Sequence, residues 1–202
     1  MSHKPVEPIP IQNPLAKTLI LGTATGLGLG YGPVAPGTFG SLLGIPLGLW
    51  LLQYPTWMAL VICGILLIPF SLVSNRAGFH FGNRDSGKIV IDEVLGQALT
   101  LLGMKSIVLE LKPALAAQEV GVILESANFS GFFDLLGLIS HNTSALVYIL
   151  CGFAFFRALD ITKPFPARRF DRQGNGFGVM MDDVVAGLYG AIILRALIKI
   201  FG

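Results

Sequence analysis

Residues 56–74 run nineteen positions without one charged side chain. As an α-helix rising ~1.5 Å per residue, this stretch is about 28 Å long, close to the roughly 30 Å hydrocarbon core of a bilayer. Such a segment must be covered by other apolar helices or by lipid. Further apolar runs occupy residues 19–32 (glycine-studded, broken by Pro33 and Pro36), 40–53 (interrupted by Pro46), 94–104, 144–156 and 184–201. No run alternates apolar and polar residues with the period of two that marks a half-buried strand, so the pattern reads helix after helix. The expected fold is all-α: a compact, membrane-associated bundle of about six to eight helices, forming a single domain over residues 1–202.

Charge is correspondingly scarce. Charged residues make up 13% of the chain, against about 25% in ordinary soluble domains. This excludes a disordered chain, a charge-rich scaffold and a nucleic-acid-binding domain; with a net charge of +2, no nucleic acid or other polyanionic partner is expected. Cys63 and Cys151 both lie inside apolar runs and read as buried free thiols. Residues 1–16 form a Pro-rich polar leader with no apolar core beside a cleavage site, so no cleaved signal peptide is expected. Residues 112–142 differ in composition from their flanks and read as a probable insertion.

The charges that remain are unevenly placed. Residues 157–183 hold nine of them: Arg157, Asp160, Lys163, Arg168, Arg169, Asp171, Arg172, Asp182 and Asp183. At ~2.5–3.5 kcal/mol for each charge at a bilayer centre, nine would cost on the order of 25 kcal/mol. The segment therefore lies outside lipid as a solvated cytoplasmic loop, or its charges pair around a polar site.

Two acidic pairs, Asp92-Glu93 and Asp182-Asp183, each precede an apolar helix, and first-turn carboxylates are favoured there by the helix dipole. That alone leaves the small residues one turn along unexplained: Gly96 and Gly187 after Asp92 and Asp183, Ala186 and Gly190 after Asp182. Small residues at this spacing let helix backbones approach closely. Two such helices side by side would gather four carboxylates, which repel unless protonated or bridged by a hard cation such as Mg²⁺. Arg168 and Arg172, four apart, could form a guanidinium clamp for phosphate. Gly174, Gly176 and Gly178 permit close backbone approach to a ligand or simply a flexible turn. Thr38 and Ser41 stand at a helix start, as anion ligands or as N-capping residues.

Other phosphate chemistries are excluded by absence. Gly26, Gly28, Gly30 and Gly32 alternate strictly, which does not make a dinucleotide fingerprint, and no P-loop occurs. His3, His80 and His141 lack carboxylate or arginine partners at motif spacing, and there is no Asp-x-Asp nucleophile motif. Cys151 and Arg157 have the spacing of a cysteine phosphatase loop, but the bulky apolar residues between them read as buried helix.

Four segments in order, GPVAPGTFGS (32–41), IDE (91–93), FRALDITKPFP (156–166) and GVMMDD (178–183), resemble the phosphatidylglycerophosphatase A family. The resemblance covers residues 19–105 and 145–202. It implies a Mg²⁺-dependent phosphatase of the bacterial inner membrane, its active site facing the cytoplasm, that converts phosphatidylglycerophosphate to phosphatidylglycerol and phosphate. By resemblance, Asp92, Glu93, Asp160, Asp182 and Asp183 are the metal and water ligands, with Asp92, Glu93, Asp182 and Asp183 on the metal. Arg157, Lys163, Arg168 and Arg172 would hold the phosphate, with Thr38 and Ser41 near it. The partners implied are a phospholipid substrate and the membrane; the sequence carries no signal for oligomeric state. Residues 112–142 depart from the family by their length. The rival reading is a small membrane carrier or channel that binds a cation at intramembrane acidic pairs.

Overall fold

The computed structural model describes residues 7–111 and 129–201, and among these every regular element is helical. In chain order the α-helices are α1 (Pro14–Ala24), α2 (Pro36–Leu51), α3 (Thr56–Phe81), α4 (Ile91–Leu101), α5 (Lys105–Leu111), α6 (Phe129–Ser140), α7 (Thr143–Thr162), the five-residue α8 (Ala167–Asp171) and α9 (Gly176–Phe201). The all-α expectation holds. Of the segment read as an insertion, residues 112–128 lie outside the described residues, and α6 occupies most of the rest. Residues 1–6 of the leader also lie outside them.

Local chemistry places the helix ends. Asn13 caps α1 by accepting the amides of Leu15 and Ala16 at 2.9 and 3.2 Å. Asn142 caps α7 through the amide of Ala145 at 2.8 Å. Gly82 closes α3 in the left-handed conformation, φ 68°, which glycine adopts without steric cost. Pro164 forbids continuation of α7, which stops at Thr162. Residues 7–12 do not trail away: Ile9 donates its amide to the Phe79 carbonyl, and buried Ile11 donates to His80 Nδ1, so this stretch lies along the end of α3.

One helix end and one helix start differ from the sequence reading. Residues 75–81, beyond the uncharged run of residues 56–74, extend α3 by two turns. Asp182 and Asp183 do not begin a helix; α9 starts at Gly176, placing them seventh and eighth in it. Asn175 supplies the cap, accepting the Gly178 amide at 2.7 Å. Gly176, Phe177, Gly178 and Val179, between that cap and the acids, make a weak helix signal in sequence, and packing overrides them.

α4 is the axis of the bundle. Every residue from Ile91 to Leu101 except Glu93 is buried. It lies between α2 and α9, and both approach at backbone distance. On α2, Gly40, Gly44 and Gly48 face Val90, Gln97 and Leu101, and a Cβ at any of the three would overlap those neighbours. On the other side Gly187 rests on the Gly96 backbone, and Gly190 abuts Thr100. Thr100 donates its hydroxyl to the carbonyls of Gly96 and Gly187, both at 3.2 Å, tying α4 to α9. The small-residue spacing read from the sequence thus corresponds to real helix contacts.

Three helices, α3, α7 and α9, are long and apolar enough to cross a membrane. Their outer surfaces are bare: Ile65, Ile68 and Leu72 on α3, Leu150 on α7, and Ile192 on α9 are all exposed. With the backbone hydrogen bonds satisfied inside each helix, such faces suit lipid and not water.

If close backbone approach holds α4 against α9, Gly187→Leu should cost on the order of 2 kcal/mol through overpacking. Gly64→Leu on α3, where a new Cβ meets nothing within 4 Å, should stay within about 0.5 kcal/mol. Thermal unfolding in detergent measures both, and equal losses would refute the contact's role.

Candidate active site

The first turn of α4 carries Asp92 and Glu93, and the second turn of α9 carries Asp182 and Asp183. Because Gly96 and Gly187 let the two backbones touch, carboxylate oxygens of Asp92, Glu93 and Asp183 come within 4.8 Å of one another. Asp92 and Asp183 are almost fully buried, and Glu93 Oε2 is buried with no hydrogen-bond partner. Burial, reinforced by Glu93 alongside, holds the Asp92 carboxyl well above the usual carboxylate range. Burial likewise pushes Glu93 up to about 8; Asp183 and Asp160 add to the shift, while a hydrogen bond with Asp92 and the Arg157 charge oppose it.

The donor set tests whether a metal would fit. It is all oxygen, convergent, short of positive charge, and includes an orphaned carboxylate oxygen. Those features fit a hard divalent cation such as Mg²⁺.

The fourth acid goes elsewhere. Asp182 Oδ2 accepts from Lys163 Nζ at 2.6 Å, and its Oδ1 accepts the Asp183 amide at 3.1 Å. Lys163 caps α7 with a left-handed backbone, φ 44°, and also donates to Asp171 Oδ1 at 2.5 Å. Burial alone would lower the Lys163 pKa, but the two carboxylates more than offset it and hold the ammonium above its ordinary value. Lys163 therefore joins the ends of α7, α8 and α9, with one N–H left for a ligand.

Arg157 and Asp160, three apart on α7, pair at 2.6 Å. Arg157 Nη1 also reaches Ser41 Oγ at 3.5 Å, and Ser41 donates its own proton to the Gly37 carbonyl at 2.8 Å. Gly37 is needed here, because a Cβ would strike the Glu93 carboxylate and stand 3.1 Å from Arg157 Nη1. The first turn of α2 thus closes onto the acidic cluster through Gly37 and Ser41. Thr38 lies in the same turn, half-buried, and its hydroxyl makes no hydrogen bond to the acids or arginines among the described residues.

Beside the carboxylates opens a cavity of about 480 Å³ lined by Asp85, Ile161, Thr162, Lys163, Arg168, Asp171 and Arg172. Arg168 is steadied by donating Nη2 to the Thr162 carbonyl at 3.2 Å. The three clustered carboxylates do not line this cavity; the Lys163–Asp182 bridge is the connection between the two.

Sequence reasoning missed several residues. Asp85, from the α3–α4 loop, lacks a motif. Asp171 sits in the charged segment but was given no partner. The fully buried Phe156 ring packs on Gly96, beneath the acids. Gln97, one turn past Glu93, is fully buried with neither side-chain polar atom hydrogen-bonded. Position 156 lies within a quoted motif, whereas Gln97 gives no signal beyond being polar in an apolar run. Cys151 stands inside α7 with Arg157 after it, so the stretch between them is helix and not a phosphate-wrapping loop.

Convergent carboxylates beside a cleft of fixed cations, at the end of a bundle with membrane-length helices, have the makings of a membrane phosphatase centre. The comparisons agree. The phosphatidylglycerophosphatase A family profile matches residues 22–198. A phosphatidylglycerophosphatase A of Haemophilus influenzae is 33% identical over 191 residues, covering 92% of this chain and 94% of the relative. One of Escherichia coli is 30% identical over 175 residues, covering 85% and 78%. A protein of Bacteroides thetaiotaomicron named putative phosphatidylinositol-3-phosphatase is 27% identical over 175 residues, covering 84% and 87%. No solved structure matches. The chain belongs to the phosphatidylglycerophosphatase A family and is a phosphoric monoester hydrolase.

Replacing Lys163 with Met would leave Asp182 buried beside other acids without its counter-ion. The expected loss is on the order of 2–3 kcal/mol, and adding Asp182→Asn should recover part of it. Thermal unfolding of the two single variants and the double variant measures this coupling; additive losses would argue against the bridge.

Proposed function

We propose that this protein removes the terminal phosphate of phosphatidylglycerophosphate in a Mg²⁺-dependent reaction at the cytoplasmic face of the inner membrane. Water attacks phosphorus, the P–O bond to the glycerol headgroup breaks, and phosphatidylglycerol and inorganic phosphate leave. The observation that carries the reading is the convergence of Asp92, Glu93 and Asp183 beside the cationic cleft in a chain of this family.

Asp92, Glu93 and Asp183 would hold the cation. When bound, Mg²⁺ supplies charge neutralisation for the phosphoryl oxygens and acidifies water. The remaining groups are the protein's own. Arg157, paired with Asp160 and reaching Ser41, holds Nη1 near Gly37 and the Glu93 carboxylate, and its guanidinium would receive a phosphoryl oxygen there. Lys163, Arg168 and Arg172 gather the dianion in the cleft. Asp182 keeps Lys163 charged and placed. Phe156 and the close helix contacts keep bulk water from the underside of the cluster, so each charge acts in a weakly screened setting.

Orientation follows from charge. Arg84 on the α3–α4 loop donates to the Gly174 carbonyl at 3.1 Å, which places the basic end of α3 beside the basic segment before α9. A cluster of Arg and Lys at one end of spanning helices favours the cytoplasmic side. The cation-carrier reading is less favoured, because the acids and their arginine partners gather at one end of the bundle instead of along a path across it.

Phosphate release from phosphatidylglycerophosphate should vanish with EDTA and return with Mg²⁺. Asp183→Asn should lose at least about ten- to a hundredfold, the scale for groups that support a metal's ligands. Cys151→Ser should match the unmodified enzyme. Activity that survives chelation, or is lost only in the cysteine variant, would overturn the assignment.

A further inference from the structure

A second cavity, about 330 Å³, adjoins the first and is lined by Lys163, Pro164, Phe165, Arg168, Arg169 and Arg172. The two share three cations but differ in their acids. The first includes Asp85 and Asp171, whereas the second is lined by four cations and no carboxylate. The Lys163 charge is already matched by Asp171 and Asp182, so the uncompensated charge of the second cavity is that of three exposed arginines. Arg169 lies over the Phe165 ring with its guanidinium carbon 4.7 Å from the centroid, an arrangement that fixes the plane of its donors. Phe165 in this groove is an apolar side chain exposed at 67%, and Ile161, exposed at 72%, lines the adjoining first cavity.

A groove of guanidinium groups without an acid suits an anion, and the phosphodiester is the anion that the lipid carries between its terminal phosphate and its acyl chains. The exposed Phe165 and Ile161 suit the acylglycerol attached to it. We infer that the side of this groove formed by Phe165 and Arg169 is a subsite for a second, unhydrolysed phosphate, the diester linking the acylglycerol to the headgroup, with Arg168 and Arg172 standing between it and the terminal phosphate. This rests on the lipid-phosphatase reading above and adds to it the residue that would distinguish a terminal phosphate carried on a diester from one carried on the acylglycerol directly. Arg169, which does not line the larger cavity, is a specificity-determining residue.

The experiment compares phosphatidylglycerophosphate with phosphatidate, which has the monoester alone, at equal mole fraction in mixed micelles. Arg169→Met should raise KM for phosphatidylglycerophosphate about tenfold with kcat little changed, the scale for losing a hydrogen bond to a charged group, and leave phosphatidate turnover unaltered. Arg169→Lys, which keeps the charge but not the planar fork, should fall between. Phosphatidylglycerol, which carries only the diester, gives a second readout: its inhibition constant should weaken by about the same factor in Arg169→Met. Equal losses on both substrates, or an unchanged inhibition constant, would overturn the subsite and leave the lipid-phosphatase reading standing. An unmodified protein that releases phosphate from neither lipid would overturn that reading and the subsite with it.

Discussion

Three helix backbones in contact are the condition on which the rest depends. Carboxylates on different helices of ordinary spacing, 8–10 Å between axes, would be kept apart by the side chains between them. Here Gly40, Gly44 and Gly48 bring α2 onto α4, and Gly96 with Gly187 brings α4 onto α9. The contact brings two sequence-distant acidic segments together and buries both. Repulsion among the acids is then borne by packing that cannot relax outward, since α4 is enclosed on both sides.

Charge compensation is arranged around that cluster and not within it. Arg157 is paired with Asp160, and Lys163 is divided between Asp171 and Asp182. The positive groups are thus held by acids outside the Asp92–Glu93–Asp183 set, which stays short of counter-charge. That uneven distribution distinguishes the site from a network of structural ion pairs, in which each buried charge would have its own partner.

Much of this was legible in the sequence. The acidic pairs, the small residues one turn along, and the dense charge of residues 157–183 all report on side-chain type at helical spacing, and periodicity carries that well. The start of α9 was not legible, because residues 176–179 have little helix propensity and only Asn175 marks the boundary. Nor was the division of the four acids, three to the cluster and Asp182 to Lys163: adjacent residues on a helix point about 100° apart, and which way each faces is set by the packing of α9. Asp85 and Gln97 were invisible for a related reason. Their roles come from tertiary neighbours with which they share no pattern in the chain.

The placement of every reactive group at one end of the bundle has a consequence for traffic. α2 and α4 bring their N-termini, α7 its C-terminus and α9 its first turns to the same level, with the bare faces of α3, α7 and α9 below it. A lipid phosphate cleaved at that level yields two products that part at right angles. The inorganic ion departs into water through the polar mouth, while the acylated alcohol slides away within the plane of the bilayer. Neither must pass through the protein, so the bundle needs no tunnel and its core can remain as tightly closed as the glycine contacts make it.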